Sequence, residues 1–202
     1  VATLAAFYQL SSGTGTTVSV ADSAAGEVLV VKVTHNGTAG GVTVSGGGLT
    51  WTQRINTAVA SHGNVAIFTA VATGGAFTLT VGGGTTPRSA IVERWANAVL
   101  AASPVVATTS TSNRVALTTT AANSAISWAA TDWNEPAIAG NTYQASNVAE
   151  YAFLASGSYT GWHGYLADAG AVGADTVGVA TPAAASSQLI AAIEVLDQST
   201  QA

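Results

Sequence analysis

The sequence predicts an all-β chain: an antiparallel β-sandwich or jelly roll of about a dozen short strands. Three observations predict it. Apolar and hydroxyl residues alternate with the two-residue period of a strand, most strictly at 77–81, where Phe77, Leu79 and Val81 oppose Thr78 and Thr80. Such runs recur at roughly 8–12-residue spacing between glycine-rich turns, the rhythm of sandwiches. Several runs are apolar on both faces, as strands in the middle of a layered structure must be. The 202 residues suit one domain, 1–202, because all-β sandwiches often reach this size as one unit.

Residues 1–15 form a weakly apolar lead-in with an edge strand over 4–10. A short alternating strand at 16–20 ends in a turn at 22–26. Residues 27–35 carry Val28, Val30 and Lys32 on one face and Leu29, Val31 and Val33 on the other, so this strand is expected to be central and covered on both sides. A turn at 36–41, marked by Asn36-Gly37, leads to 42–45 and 49–55, which flank Gly46-Gly47-Gly48 as a hairpin with Trp51 packed inward. Residues 64–72 are again apolar on both faces, 77–81 alternate, 82–87 loop, and 88–95 close the first half.

Residues 97–113, poor in charge and bent at Pro104, read as a connector. Strands follow at 114–120, 124–132, 148–154, 159–167, 175–180 and 188–196. A polar, aromatic loop occupies 133–142, and a polar tail starts at Asp197. The halves, 16–100 and 113–197, have related patterns: 64–72, 77–81 and 90–93 run parallel to 161–169, 175–179 and 191–194, ending on Glu93 and Glu194. Duplication of one unit and the general likeness of alternating strands both account for this.

Only 7% of residues are charged, against about a quarter in an average soluble domain. A surface with so little charge is either a neutral carpet of Thr, Ser and Gly or is covered by neighbours. The two-faced apolar strands favour a share of the second, with 28–33, 66–71 and 189–196 serving core and interface. The net charge is −5 with a single lysine, Lys32, which argues against nucleic acid and against an anionic membrane surface. The chain has no cysteine, so disulfides and thiolate chemistry are excluded. Residues 55–87 lack charge, but Gly, Ser, Thr, His and Asn interrupt them too often for a membrane helix.

No catalytic residue, cofactor site or metal site is assigned. Serine hydrolysis needs Ser, His and an acid in contact, and Gly157-Ser158-Tyr159-Thr160-Gly161 has its serine one place early for a nucleophile elbow. Glu93 and Glu194 could flank a sugar as a carboxylate pair only if the halves brought them together, and matching surface faces explain them better. Asp132, Asn134 and Glu135 offer oxygens to a hard cation, but without a calcium-loop motif they read as a polar loop tip. Sugar binding has the strongest candidate set: Trp133 as an aromatic platform, with Asp132, Asn134, Glu135, Tyr143, Trp162 and His163 around it. Set against this, the same aromatics supply the bulk that an Ala-rich core requires.

At Gly47-Gly48-Leu49-Thr50-Trp51-Thr52-Gln53-Arg54, and again at Ile67-Phe68-Thr69-Ala70-Val71-Ala72, Ile91-Val92-Glu93-Arg94-Trp95 and Ser103-Pro104-Val105, the chain resembles β-sandwich modules of tailed-phage virions, especially the minor tail proteins of phages of actinobacteria. The resemblance spans roughly 26–196 and rests on strand and turn patterns. It implies a non-enzymatic structural protein of the virion, in the tail or decorating the capsid. Its partners would be copies of itself and other virion proteins. A host cell-surface glycan is the alternative partner, with no nucleic acid bound and no insertion into a membrane. Trp133-Asn134-Glu135-Pro136 and Trp162-His163 have no counterpart in the first half.

Overall fold

A computed structural model describes the chain apart from residues 11–13, 38–40, 85, 134–139, 156–158, 182–187 and 202, and apart from the side chains of 151–155 and 201. Seventeen strands are described: β1 (Thr3–Gln9), β2 (Thr17–Val20), β3 (Val28–His35), β4 (Thr43–Gly46), β5 (Thr52–Val59), β6 (Gly63–Val71), β7 (Phe77–Gly82), β8 (Arg88–Ala96), β9 (Ala98–Val99), β10 (Val106–Thr109), β11 (Arg114–Thr118), β12 (Ala125–Asp132), β13 (Thr142–Tyr143), β14 (Asn147–Ala155), β15 (Tyr159–Leu166), β16 (Ala174–Thr181) and β17 (Gln188–Asp197). One 3-10 turn follows at Gln198–Gln201. Every pairing between strands is antiparallel.

The strands form two large sheets and two small ones. The first large sheet has the order β1-β8-β3-β6-β5, and its small companion β2-β7-β4. The second has β10-β17-β12-β15-β14, with β9 on the end of β17, and its companion is β11-β16-β13. Renumbering β10–β17 as one to eight reproduces the first order in both sheets: 1-8-3-6-5 and 2-7-4. The two units therefore run from Thr3 to Ala96 and from Val106 to Asp197. A complete jelly roll would also pair strand four with strand five. In both units, among the described residues, strand five lies instead beside strand six, so the architecture is an antiparallel β-sandwich.

Three apolar cores separate four layers. Val28, Val30, Val65, Ile67 and Trp95 of the first large sheet meet Ala125, Ala129, Leu189, Ala191, Ile193 and Val195 of the second. The outer core of the first unit packs Val31, Val33, Phe68 and Val92 against Val18, Val20, Leu79 and Val81 of its small sheet. That of the second packs Ile126, Trp128, Trp162 and Ile190 against Leu117, Val177 and Val179. Central strands are thus sandwiched on both sides, which is why β3, β12 and β17 are buried at every position.

This arrangement corrects one expectation. The covers over 28–33 and 189–196 are the chain's own sheets, so these strands offer no face to another molecule. In the 66–71 stretch only Val71 is exposed. The expected hairpin around 46–48 is also absent. β4 pairs with β7 in the small sheet and β5 with β6 in the large one. Gly46, Gly47 and Gly48 all take positive φ, a backbone course that only glycine follows cheaply, and it carries the chain from one layer to the other. The connector 97–113 contains β9 and β10, and β10 opens the second unit along β17. Trp51 is half-buried at the rim of the first outer core, tilted against Phe77 and donating from Nε1 to the Gly46 carbonyl at 3.1 Å.

Candidate functional site

The two large sheets do not meet only through apolar groups. Alternation on β3 turns Val28, Val30, Lys32 and Thr34 toward the second unit, and the paired residues of β8 that share this face are Trp95, Glu93, Ile91 and Ser89. From the other side β12 presents Ser127 and Thr131, while β15 presents Tyr159, Gly161, His163 and Tyr165. The outcome is a polar seam running through the middle of the molecule.

Its centre is Lys32. The ammonium donates to Glu93 Oε1 at 2.5 Å, to Glu150 Oε2, and to the Gly164 carbonyl at 3.0 Å, which uses all three of its hydrogens. The side chains of Lys32, Glu93 and Glu150 are 0%, 0% and 1% exposed. Glu93 also accepts from Trp95 Nε1 at 2.9 Å and from Ser127 Oγ at 2.6 Å. Glu150 reaches the seam from β14, an edge strand, at an irregularity between Ala149 and Tyr151 where the register with β15 shifts. Tyr165 covers the group edge-on to Trp95, with ring centroids 5.6 Å apart.

Two carboxyls and one ammonium leave a surplus negative charge. Burial, reinforced by the charge of Glu93, pushes the Glu150 carboxyl up to about 8, so it holds its proton at neutral pH. Burial opposes the charge on Lys32, but Glu150 and Glu93 outweigh it and hold the amine above its ordinary pKa.

Further along the seam Ser89 Oγ bonds His163 Nε2 at 2.8 Å and Thr34 Oγ1 at 2.7 Å. Burial and then the charge of Lys32 drive the pKa of His163 well below its ordinary value, so the ring is neutral. A Ser–His pair is the start of a hydrolase site, yet both residues are fully buried here. A Cβ on Gly161 would collide with Thr34 Oγ1 and Ser89 Oγ; glycine at that point lets the sheets close over the pair and shut out a substrate. The Tyr159 hydroxyl lies beside Thr34 and Thr131, and burial raises its pKa.

The residues expected to bind a glycan are dispersed. Trp162 and His163 are both buried on opposite faces of β15, Trp162 in the second outer core and His163 in the seam. Asp132 is buried and accepts from Gln188 Nε2 at 3.0 Å. Tyr143 leans on Trp128 in the outer core, with centroids 6.0 Å apart. Trp133 is half-buried, its indole nitrogen against Gly63 near Thr131. Asn134 and Glu135 lie outside the described residues. Trp162, with no exposed surface, cannot stack on a sugar, and no shared platform forms among the described members. Trp128 and Trp162 fill space above Ala130 and Ala192, the bulk that an alanine-rich sheet requires.

Glu93 and Glu194 do not face one another. Glu93 lies in the seam. Glu194 lies on the outer face of β17, where it accepts from the Thr120 amide and hydroxyl at 2.8 Å each. Among the described residues no group of three or more His, Asp or Glu is placed to hold a metal ion, and no helix is long and apolar enough to cross a membrane. An open cleft beside β5, lined by Thr52, Arg54, Thr69 and Leu100, has Arg54 as its sole ionisable group among the described residues.

Sequence reasoning passed over the seam. The signal was present in Lys32, the only lysine, set in a valine-rich strand apolar on both faces; a charge there must find partners inside the protein. Family models, curated proteins and solved structures were compared with the chain, and none matches it.

Proposed function

We infer that the protein is a non-enzymatic structural module that works by surface contact within an assembly, of the kind that forms part of a phage tail or decorates a capsid. The observation that carries this reading is where the charge sits. Among the described residues nine charged side chains are buried: Glu27, Lys32, Arg88, Glu93, Arg94, Asp132, Glu150, Glu194 and Asp197. Among the described residues the exposed charged side chains are Asp22, Arg114 and Asp168, with Arg54 and Asp175 half-buried. Surface charge keeps proteins apart by repulsion, and this surface has little of it. It can be covered by a neighbour without stripping water from ions, the step that makes burying charge expensive. The exposed large apolar residues, such as Phe7, Val71, Val106 and Val172, are distributed along the chain. Contact would therefore be broad and neutral, through Thr-, Ser- and Ala-rich strands.

Light scattering on a sizing column tests this. The expected result is a defined multimer whose mass is unchanged between low and high salt, since few charges are available to be screened. A monomer across the accessible concentration range would overturn the assembly reading.

A further inference from the structure

We propose that Lys32 and Glu150 join in an intramolecular amide bond, with Glu93 as the catalytic proton acceptor, so that the two units are covalently cross-linked across the seam. The chain supplies every reactant. The Lys32 amine and the Glu150 carboxyl are in hydrogen-bond contact, on strands β3 and β14 of different units. Glu93 touches the same amine and is itself fixed by Trp95 and Ser127. The Gly164 carbonyl holds the amine from a third direction. Fixing two reactants this closely replaces a bimolecular condensation by a unimolecular one, with a large gain in effective concentration.

The step balances without any outside reagent. The Lys32 ammonium gives one proton to the Glu93 carboxylate. The resulting amine attacks the Glu150 carboxyl carbon, and a C–N bond forms as the C–O bond to the hydroxyl breaks. That hydroxyl leaves with a proton from the nitrogen, relayed by Glu93, as water. Ammonium, protonated carboxyl and carboxylate become a neutral amide, one water and a protonated Glu93. No electrons are transferred.

Burial favours this direction. In water, hydrolysis of an amide competes with its formation, but the three side chains are almost completely shielded here. The surplus proton on Glu150 leaves it neutral, the state in which a carboxyl loses its oxygen as water. Condensation also removes every formal charge from a site where charges are costly. Glu150 stands at the register shift of β14 between Ala149 and Tyr151, on an edge strand, and this brings its carboxyl to the amine.

Intact mass of the full chain under denaturing conditions tests the proposal, followed by peptide mapping. The expected mass is that of the sequence less one water, with a branched peptide that joins the segments containing Lys32 and Glu150. Lys32→Met and Glu150→Ala should each restore the full sequence mass. Glu93→Gln keeps both reacting side chains but removes the proton acceptor, and should leave the chain at full mass while it still elutes as a folded protein. A wild-type mass equal to the sequence, or a water loss that maps to any other pair of residues, overturns the proposal. A Glu93→Gln chain that cross-links as completely as the wild type overturns the role of Glu93.

Discussion

The two units have the same strand order and solve the same local problems with different chemistry. Each must pin the segment that leads into its third strand. In the first, Arg94 of β8 does so: it donates from Nε and Nη2 to Glu27 at 2.9 and 3.0 Å, and from Nη1 to Asp22 at 2.5 Å. In the second, Glu194 of β17 holds the amides of Thr120 and Ala121 and the Thr120 hydroxyl. A cation gripping carboxylates has become a carboxylate gripping backbone. The outer cores differ likewise. The first is filled by many aliphatic side chains, the second by Trp128 and Trp162 over small alanines. Gly164 belongs to that second solution: a Cβ there would strike the Trp128 ring. Strand order can persist while charge sign and side-chain volume are redistributed, provided each layer remains full.

The seam is where the units depend on each other, and the largest effect is expected there. Lys32→Met removes the group between two buried carboxyls together with the proposed cross-link, and should cost about 3–5 kcal/mol of stability or more, the range for removing one partner of a buried ion pair alone. Denaturant unfolding of both variant and wild type measures it; a loss below about 1 kcal/mol would mean the trio contributes little. Next, the outer cores can be set against each other. Trp162→Ala should cost about 3–5 kcal/mol, since one side chain fills much of its layer. Val33→Ala in the first unit should cost about 1.5–3 kcal/mol, because many neighbours share the filling. Equal losses would erase the contrast. The two clamps come third: Arg94→Ala and Glu194→Ala should each cost about 1.5–3 kcal/mol, the range for hydrogen bonds to charged groups.

The smallest expected effect is a pH dependence set at the end of β3, on the face turned away from the seam. His35 is buried next to the Arg88 charge, and burial first and then that charge lower its pKa from 6.5 to about 4. The unfolded chain therefore binds more protons between those values, and stability falls as pH falls from about 6.5 to about 4. From pH 7 to pH 5 the His35 share is about 1–2 kcal/mol. His163, with its pKa also lowered, acts in the same direction. His35→Gln should flatten the acid slope of the unfolding free energy; an unchanged slope would place its origin elsewhere.

Most of the layering was legible in the sequence because a strand covered on both faces shows it in its residues. Residues 27–35 and 64–72 carry apolar residues on both faces, and β3 and β6 are central. The turn at 46–48 misled because three glycines also suit a change of layer. β10 was missed because Val-Ala-Thr-Thr at 106–109 is too short and too mildly apolar to separate from a linker. The sugar-binding set was assembled from residue type, and type does not tell which face of a strand a residue occupies: Trp162 and His163 are neighbours in sequence and lie in different cores. Glu150 was hidden for a related reason. It sits where β14 gains a residue against β15, so strict alternation does not lead to it.

The seam makes one body of two like-ordered units. The most direct test is to introduce a protease site at Ala102–Ser103, both exposed between β9 and β10, cut the folded chain there, and run it on a native sizing column. The cut protein should elute as a single species at the position of the uncut protein. Two half-sized fragments eluting apart would contradict it.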